Sequence, residues 1–202
     1  GGEAIGVGGD LTKSDQCRKV VDLALKSWGR LDILDNNIGI ASKLSVVDEL
    51  EEDWDKIMKV NLKPMFLMSK YAIPAMINTG EGGSIVNISS ISATRPKGLT
   101  SYSASKGAVL SLSQAMAVDH GADGIRVNCI LPGPVYTPMV YTSGMTDKHR
   151  SQRQNASLIQ VEGDGWDIGK AVVYLSSNWA RYITGHLMVV DGGCSLSAKP
   201  RG

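Results

Sequence analysis

The stretch Ser84-Ile85-Val86-Asn87-Ile88-Ser89-Ser90 predicts a short strand in the middle of a parallel sheet. Its apolar residues form a nearly continuous run, which is typical of strands that helices cover on both faces. The run begins after Gly82-Gly83 and ends at two hydroxyl side chains. Ligands bind at the C-terminal ends of strands in an open α/β sheet, so these serines are candidate site residues, although serines also commonly end strands.

Strand-like and helix-like patterns alternate on either side of this stretch. The alternation predicts an α/β fold, a parallel sheet with helices on both faces. We expect a single unit over residues 1–202, because we find no internal repeat and no linker. The predicted strands are 4–8, 31–34, 84–88, 125–130 and 187–190, and the predicted helices are 14–28, 51–61, 64–77, 102–120 and 166–175.

The composition argues against several classes of protein. A net charge of +1 gives no indication of a nucleic-acid or anionic-membrane partner. No apolar stretch is long enough to span a bilayer, and the first residues do not resemble a signal peptide. The cysteines are odd in number and form no CxxC pair, so we expect a reducing, cytoplasmic location. The three histidines share no spacing with cysteines or acidic residues, so we expect no metal site.

A tyrosine and a lysine stand four residues apart in Tyr102-Ser103-Ala104-Ser105-Lys106, inside a long helical pattern. Residues at this spacing lie on one face of a helix, so the phenol and the ammonium can point into one cleft. The pKa of a free tyrosine is about 10, and a neighbouring cation lowers it because it favours the phenolate. The pair could therefore exchange a proton with a carbonyl or alcohol oxygen. The same spacing also arises by chance on exposed helices, where it has no function.

Four other segments each permit two interpretations. The loops Asn36-Asn37-Ile38-Gly39 and Pro132-Gly133-Pro134-Val135-Tyr136-Thr137 follow predicted strands, where small residues let backbone approach a cofactor, but both could be ordinary turns. The loop Arg95-Pro96-Lys97 is either solvated or in contact with a substrate or phosphate. The polar, irregular residues 139–165 form either a mobile lid over the substrate or a disordered segment.

Taken together, these motifs occur in one order along the chain. In this order the chain resembles the classical short-chain dehydrogenase/reductase family over residues 9–193. The motifs that carry the resemblance are Val60-Asn61-Leu62, the serine-rich strand end, Tyr-x-x-x-Lys, Ile125-Arg126-Val127-Asn128 and Val190-Asp191-Gly192-Gly193. The resemblance implies a Rossmann-like, doubly wound sheet, NAD or NADP as cofactor, and hydride transfer between a secondary alcohol and a ketone. It also implies a homo-oligomer, a tetramer or a dimer, with contacts through residues 62–78 and 102–120.

The resemblance further implies a role for individual residues. Tyr102 would be the acid/base, and Lys106 would lower its pKa and bind the nicotinamide ribose. Ser90 would orient the substrate carbonyl, and Asn61 would hold a water in a proton relay. Cofactor contacts would be made by Asp10, Leu11, Asn37, Gly39, Tyr102, Lys106, Pro132, Gly133, Val135 and Thr137.

Three residues depart from the family pattern. Ser90 lies one residue closer to Tyr102 than is usual; Ser89 would restore the count, but we prefer Ser90 because a loop deletion moves less structure than a strand slip. Ile38 replaces a small alanine and is expected to narrow the adenosine groove. Asp35 falls in a predicted buried strand, so we expect it to have a partner or to lie near solvent.

The largest departure is at the front of the chain. Family members begin with a strand, a glycine-rich phosphate loop and a helix, followed by a second strand and helix. The glycines at positions 6, 8 and 9 precede Asp10-Leu11-Thr12, which matches the segment after the third strand of the family. We therefore expect an N-terminally incomplete fold that lacks the first two strands, as a fragment or a truncated product, with an exposed edge at residues 31–34. A chain this short should bind cofactor weakly or not at all.

Three functional hypotheses follow. The leading one is an NAD(P)-dependent oxidoreductase acting on a small alcohol or ketone. The second is a truncated, non-catalytic or cofactor-deficient subunit or interaction module of the same fold. An extended-type epimerase or dehydratase is disfavoured because the chain has no room for an extra C-terminal substrate region.

Overall fold

The computed structural model describes residues 2–142 and 144–196, and its centre is a parallel four-stranded sheet. The strands lie in the order β1-β2-β3-β6, and every neighbouring pair is parallel. A second, two-stranded pairing joins β4 to β5. The strands are β1 Ile33–Asn36, β2 Gly83–Ile88, β3 Ile125–Pro132, β4 Val135–Tyr136, β5 Gly163–Asp164 and β6 Leu187–Val190.

The predicted helices are confirmed, with ends that shift by two residues at most. Two further short helices lie in a segment, residues 138–154, whose residue pattern does not predict helix. The helices are α1 Ser14–Trp28, α2 Glu51–Asn61, α3 Lys63–Thr79, α4 Thr100–His120, α5 Pro138–Tyr141, α6 Asp147–Gln154 and α7 Gly165–Ser176. Short 3₁₀ turns lie at Ile91–Ala93, Asn178–Ala180 and Cys194–Leu196.

Both faces of the sheet are covered, as the continuous apolar runs predicted. Side chains alternate between the faces along each strand. Ile85 and Val127 point into the core that contains α1 and α3, whereas Val86 and Ile130 point into the core beneath α7. All four are fully buried. The doubly wound α/β architecture is therefore confirmed.

Two of the predicted strands differ from the structure. Residues 4–8 form no strand and are exposed, because no strand of the described chain lies beside them to complete a hydrogen-bonded ladder. The strand predicted at 31–34 lies two residues later, since its register pairs Ile33 with Ser84 and Asn36 with Asn87. It forms one edge of the sheet, and Ile33 is exposed there.

The expectations for individual core residues are largely met. Met65, Met68 and Met76 are buried in the core, as is Cys129. Asp35 is exposed on the edge strand β1, which agrees with the expectation that it lies near solvent. Surrounding atoms nevertheless raise its pKa to about 6 by desolvation.

Candidate active site

A cavity of about 1030 Å³ opens at the C-terminal ends of β1, β2 and β3. Its walls are the loop after β1, the residues that follow β2, the first turns of α4, and the loop between β3 and β4. This is the edge of the sheet where an open α/β fold binds ligands. The cavity contains Tyr102, Lys106 and Ser90 together with six predicted cofactor contacts, which are Asn37, Gly39, Pro132, Gly133, Val135 and Thr137.

The two serines at the end of β2 have different hydrogen-bond partners. The Ser89 hydroxyl donates a hydrogen bond of 2.7 Å to the backbone carbonyl of Lys106, and its side chain is 3% exposed. The Ser90 oxygen accepts a hydrogen bond of 3.1 Å from the backbone N–H of Ser92, and its hydroxyl also interacts with the Tyr102 phenol. The Ser89 hydroxyl therefore links the end of β2 to α4, and Ser90 is the serine whose hydroxyl interacts with the Tyr102 phenol.

Lys106 is buried beneath the cavity floor. Its side chain is 4% exposed, and its ammonium donates a hydrogen bond of 2.8 Å to the carbonyl oxygen of Ile88. Burial lowers the pKa of Lys106 to about 8, because desolvation penalises the charged form. The ammonium lies 5.9 Å from the centroid of the Tyr102 ring. The predicted placement of the pair on one helix face, directed into one cleft, agrees with this geometry.

The pKa of Tyr102 differs from the expectation that Lys106 lowers it. Burial is the largest influence and raises the pKa above the ordinary value, while the hydrogen bond with Ser90 acts in the opposite direction. Desolvation of the buried phenol therefore decides the direction of the pKa shift, and the Lys106 ammonium does not reverse it. The phenol is therefore protonated at neutral pH in this structure.

Asn61 connects two parts of the site through a fully buried side chain. Its oxygen accepts a hydrogen bond of 2.8 Å from the N–H of Ile40, and its amide donates to the Ile40 carbonyl at 2.9 Å and to the Ser105 hydroxyl at 3.0 Å. Both amide hydrogens are thus committed to protein partners. Asn61 holds the loop after β1 against α4, and the predicted water relay stays a prediction.

Gly39 lies beside the buried lysine. A Cβ atom at this position would stand 3.2 Å from the Lys106 Nζ and 3.4 Å from the Asn61 Oδ1. These separations are tighter than ordinary van der Waals contact, so a larger residue would push the ammonium away. The glycine at position 39 therefore lets the loop after β1 pack closely against the side chains of Lys106 and Asn61.

Two sets of polar residues support the site and were missed in the sequence. A buried chain runs from the Asn36 amide to Asn87 (2.8 Å) and from the Asn87 amide to Ser113 (2.9 Å). The Glu49 carboxylate accepts hydrogen bonds from the backbone N–H and the hydroxyl of Ser101, at the start of α4. Asparagines at inward positions of apolar strands could have signalled the first set; nothing in the local pattern signalled the second.

The loop after β3 packs closely against the segment that follows β6. A Cβ atom on Gly133 would lie 2.5 Å from the Asp191 Cβ and 2.6 Å from its Cα, so only glycine fits. The Asp191 carboxylate in turn accepts hydrogen bonds from the N–H groups of Gly193 and Ser195. This packing fixes the cavity wall that includes Pro132 and Val135.

Two predicted cofactor contacts, Asp10 and Leu11, lie outside the cavity lining. The Asp10 carboxylate accepts a hydrogen bond of 2.9 Å from the N–H of Thr12, and Leu11 packs on the core beside α1. No residue lining the cavity in the described part of the chain belongs to a glycine-rich turn from a strand into a helix. In the described part of the chain, the cavity lining therefore contains no phosphate loop.

Residues 139–142 and 144–165 include most of helix α5, all of α6 and strand β5, and several of them line the cavity, so the expectation of an irregular segment is wrong for most of them. The lid over the substrate stays a prediction. Helix α6 is connected to the β4–β5 pairing through charged side chains. Arg150 pairs with Glu162 at 2.7 Å and lies over the Tyr136 ring at 4.4 Å, and Arg153 donates to the Val135 carbonyl at 2.8 Å. The Glu162 side chain is only 10% exposed, which strengthens these contacts.

Comparison with known proteins agrees with this architecture. A family model described as enoyl-(acyl carrier protein) reductase matches residues 1–195. The short-chain dehydrogenase/reductase astE of Aspergillus oryzae is 36% identical over 193 residues, which cover 93% of this chain and 73% of the fungal protein. A 3-oxoacyl-(acyl-carrier-protein) reductase of Thermotoga maritima is 34% identical, with coverage of 91% and 74%. The ligand-free structure of aldohexose dehydrogenase from Thermoplasma acidophilum superposes with a TM-score of 0.91 at 32% identity, covering 97% of this chain and 80% of that one.

The parallel sheet and the cavity at the C-terminal ends of its strands fit an α/β enzyme, and the comparisons identify its family. The chain belongs to the short-chain dehydrogenase/reductase family and is an oxidoreductase. The family uses NAD or NADP. In the described part of the chain, no helix is long and apolar enough to cross a membrane, and no three His, Cys, Asp or Glu side chains gather as metal ligands.

Proposed function

We propose that this chain interconverts a secondary alcohol and a ketone by hydride transfer with NAD or NADP. The observation that carries the proposal is the convergence of Tyr102, Ser90 and Lys106 on one cavity. A phenol that meets a serine hydroxyl and lies above a buried cation can bind and protonate a carbonyl oxygen. The cofactor, which supplies or accepts the hydride, would be held by eight residues of the cavity lining. These are Tyr102, Lys106, Pro132, Gly133, Val135, Thr137, Asn37 and Gly39.

Tyr102 and Ser90 act on the substrate oxygen. In ketone reduction, the Ser90 hydroxyl donates a hydrogen bond to the carbonyl oxygen and polarises it. Tyr102, protonated because burial raises its pKa, donates its proton to that oxygen as the carbonyl carbon is reduced. In alcohol oxidation the proton returns from the alcohol to the phenolate, so oxidation requires the deprotonated tyrosine and is favoured at alkaline pH.

Lys106 and Asn61 support this proton transfer. The buried ammonium, 5.9 Å from the ring, stabilises the phenolate that forms when Tyr102 gives up its proton. Asn61 is a positioning residue that fixes the loop at Ile40 and the helix at Ser105. A water relay through Asn61 would use the second lone pair of its side-chain oxygen, since both of its amide hydrogens already have partners.

Steady-state kinetics test the proposal. We expect oxidation of NADH or NADPH with a panel of ketones, and a loss of kcat of roughly 100-fold or more in Tyr102→Phe. Tyr174→Phe, on α7 and outside the cavity lining, is the matched control and should retain full activity. Retained turnover in Tyr102→Phe would reject this residue as the proton donor.

A cofactor-deficient subunit is the second candidate function. One observation favours it: the described cavity lining contains no glycine-rich turn from a strand into a helix to bind a pyrophosphate. Calorimetry with NAD and NADP separates the two candidates. Tight binding supports the enzyme, whereas absent binding together with co-purification of a longer family member supports the subunit.

The remaining expectations about organisation belong to the same proposal. We propose that residues 1–202 act as a single unit in the cytoplasm and form a homotetramer or dimer through α3 and α4. Exposed apolar side chains on those helices, Phe66 (49% exposed) and Val118 (82% exposed), support the contact. Light scattering after size exclusion should give a mass of two or four chains, and Val118→Asp should reduce it.

A further inference from the structure

Positive charge predominates in the part of the cavity lining that lies near Ser90. The segment that follows Ser90 contributes Arg95 and Lys97 to the lining, and the segment that follows Gly39 contributes Lys43. We call these three residues the cationic rim. Lys43 and Lys97 are exposed and Arg95 is half-buried.

The two segments of the rim meet in the structure. The N–H of Thr100 donates a hydrogen bond of 3.2 Å to the carbonyl of Leu44, the residue next to Lys43. The contact between Glu49 and Ser101 fastens the same two segments a second time. The loops that carry the cations are therefore held side by side at the substrate end of the site, next to Ser90 and the start of α4.

Negative charge among the described residues does not neutralise the two lysines of the rim. Among the described residues that line the cavity, Asp35 is the only carboxylate, and it lies on β1. Glu49 is engaged with Ser101 and does not line the cavity. Among the described residues neither Lys43 nor Lys97 forms an ion pair, whereas Arg153, which also lines the cavity, is paired with Glu162.

From this charge distribution we propose that the substrate is an alcohol or ketone with an anionic group, a carboxylate or phosphate, which the cationic rim binds. This inference rests on the proposed function, because it orients the substrate carbonyl toward Ser90 and Tyr102. Cofactor phosphates are the competing source of negative charge. The rim favours the substrate because Arg95 and Lys97 lie between Ser90 and Tyr102, the two residues proposed to act on the substrate oxygen, and the Lys43 segment is hydrogen-bonded to the same segment. The predicted nicotinamide contacts from Pro132 to Thr137 belong to a different segment, at the junction of β3 and β4. A concave site lined by one sign of charge concentrates ligands of the opposite sign.

Binding measured without turnover tests the inference independently of catalysis. The probes are keto acids of increasing length (3-oxobutanoate, 4-oxopentanoate and 5-oxohexanoate), each compared with its neutral amide by saturation-transfer NMR on the intact chain without cofactor. At low salt, we expect the best keto acid to bind about 10-fold more tightly than its amide, because several cations act together. The chain length with the largest ratio reports the separation between the carbonyl site and the rim.

Two charge-neutralised variants localise the effect. Lys43→Gln/Lys97→Gln should reduce the ratio of acid to amide affinity several-fold, and the addition of Arg95→Gln should bring it close to one. The matched control, Lys13→Gln/Lys26→Gln/Lys56→Gln, removes three exposed charges that do not line the cavity and should leave the ratio unchanged. The exposed double variant guards against misfolding in the variant that also changes the half-buried Arg95.

The outcomes separate the inference from the proposed function. A ratio near one for every probe with the unaltered chain would overturn the inference, even if neutral ketones are turned over. A preserved ratio in the triple rim variant would also overturn it. A loss of NAD or NADP affinity in the rim variants, with the keto-acid ratio unchanged, would assign the rim to the cofactor phosphates instead. Selective keto-acid binding without hydride transfer would support the inference and contradict the proposed reaction.

Discussion

The Glu49 carboxylate accepts hydrogen bonds from both the backbone N–H and the hydroxyl of Ser101, the residue before Tyr102. Leu99, at the N-cap of α4, provides no side-chain cap for this helix. A residue from a distant loop thus satisfies a free N–H at the helix start and complements the helix dipole. The contact lies one residue before Tyr102 and links the start of its helix to the loop after β1.

Glu49→Gln should therefore make the free energy of unfolding less dependent on pH in the acid range. The contact with Ser101 lowers the pKa of Glu49, so its stabilisation is fully present above the ordinary glutamate pKa of about 4.3 and is lost as pH falls through the lower folded value. Unfolding followed by circular dichroism should show the variant less stable at neutral pH and equal to the original chain at strongly acid pH. Glu3→Gln, an exposed change in the N-terminal segment, should match the original chain throughout.

Lys106→Met should alter stability at alkaline pH. Burial lowers the folded pKa of Lys106 to about 8, below the ordinary value of about 10.4, so the unfolded chain binds more protons between these values. The free energy of unfolding gains a contribution that rises with pH across this window, by up to roughly 3 kcal/mol. Urea titrations should show a steeper rise for the original chain than for Lys106→Met. Parallel curves would show that the lysine is neutral or solvated in the folded state.

Ser89→Ala and Ser90→Ala should separate stability from catalysis. Ser89→Ala removes a buried hydrogen bond to the Lys106 carbonyl and should cost about 1 to 2 kcal/mol of stability. Ser90→Ala removes the acceptor of the Ser92 N–H and should cost about 1 kcal/mol. Unlike Ser89→Ala, it should also lower kcat by at least about 10-fold, since it removes the hydroxyl that interacts with the phenol. If Ser89→Ala abolished turnover in a folded enzyme while Ser90→Ala did not, the two assignments would be reversed.

Asn61→Ala should destabilise the protein by about 2 to 3 kcal/mol, because it removes three hydrogen bonds from a fully buried position. The exposed Asn155→Ala, at the end of α6, is the control and should change stability by less than about 0.5 kcal/mol. Urea unfolding measures both. A folded, fully stable Asn61→Ala variant with slow turnover would favour the water relay over the positioning role.

Much of the fold could be predicted because the spacing of apolar residues within each segment matches the side chains that are buried in the structure. The apolar run 84–88 predicted a strand with helices packed on both faces of its sheet. The spacing of Tyr102 and Lys106 predicted that both side chains lie on one side of α4. The segment 4–8 was misjudged because apolar composition cannot reveal whether a neighbouring strand exists. The helix α6 and the strand β5 could not be predicted, because the segment 144–165 is held by pairs between residues distant in sequence, such as Arg150 with Glu162, which leave no local pattern.

The site was predicted from motif order, but its electrostatics could not be. Spacing suggested that Lys106 lowers the pKa of Tyr102, yet burial of both side chains sets the direction of both shifts. Burial results from packing between distant elements, so it is not visible in the Tyr-x-x-x-Lys motif. The Glu49–Ser101 contact was invisible for the same reason, because 52 residues separate its partners.

The central claim is that Tyr102 donates the proton that accompanies hydride transfer to a carbonyl. Transfer of deuterium from NADH or NADPH labelled at the nicotinamide C4 to the carbinol carbon, followed by NMR, tests it most directly. We predict label in the alcohol formed by the original chain, and a rate at least roughly 100-fold lower in a folded Tyr102→Phe variant. Equal rates of label transfer in the two proteins would contradict the claim, as would a complete absence of transfer by the original chain under conditions where it binds the cofactor.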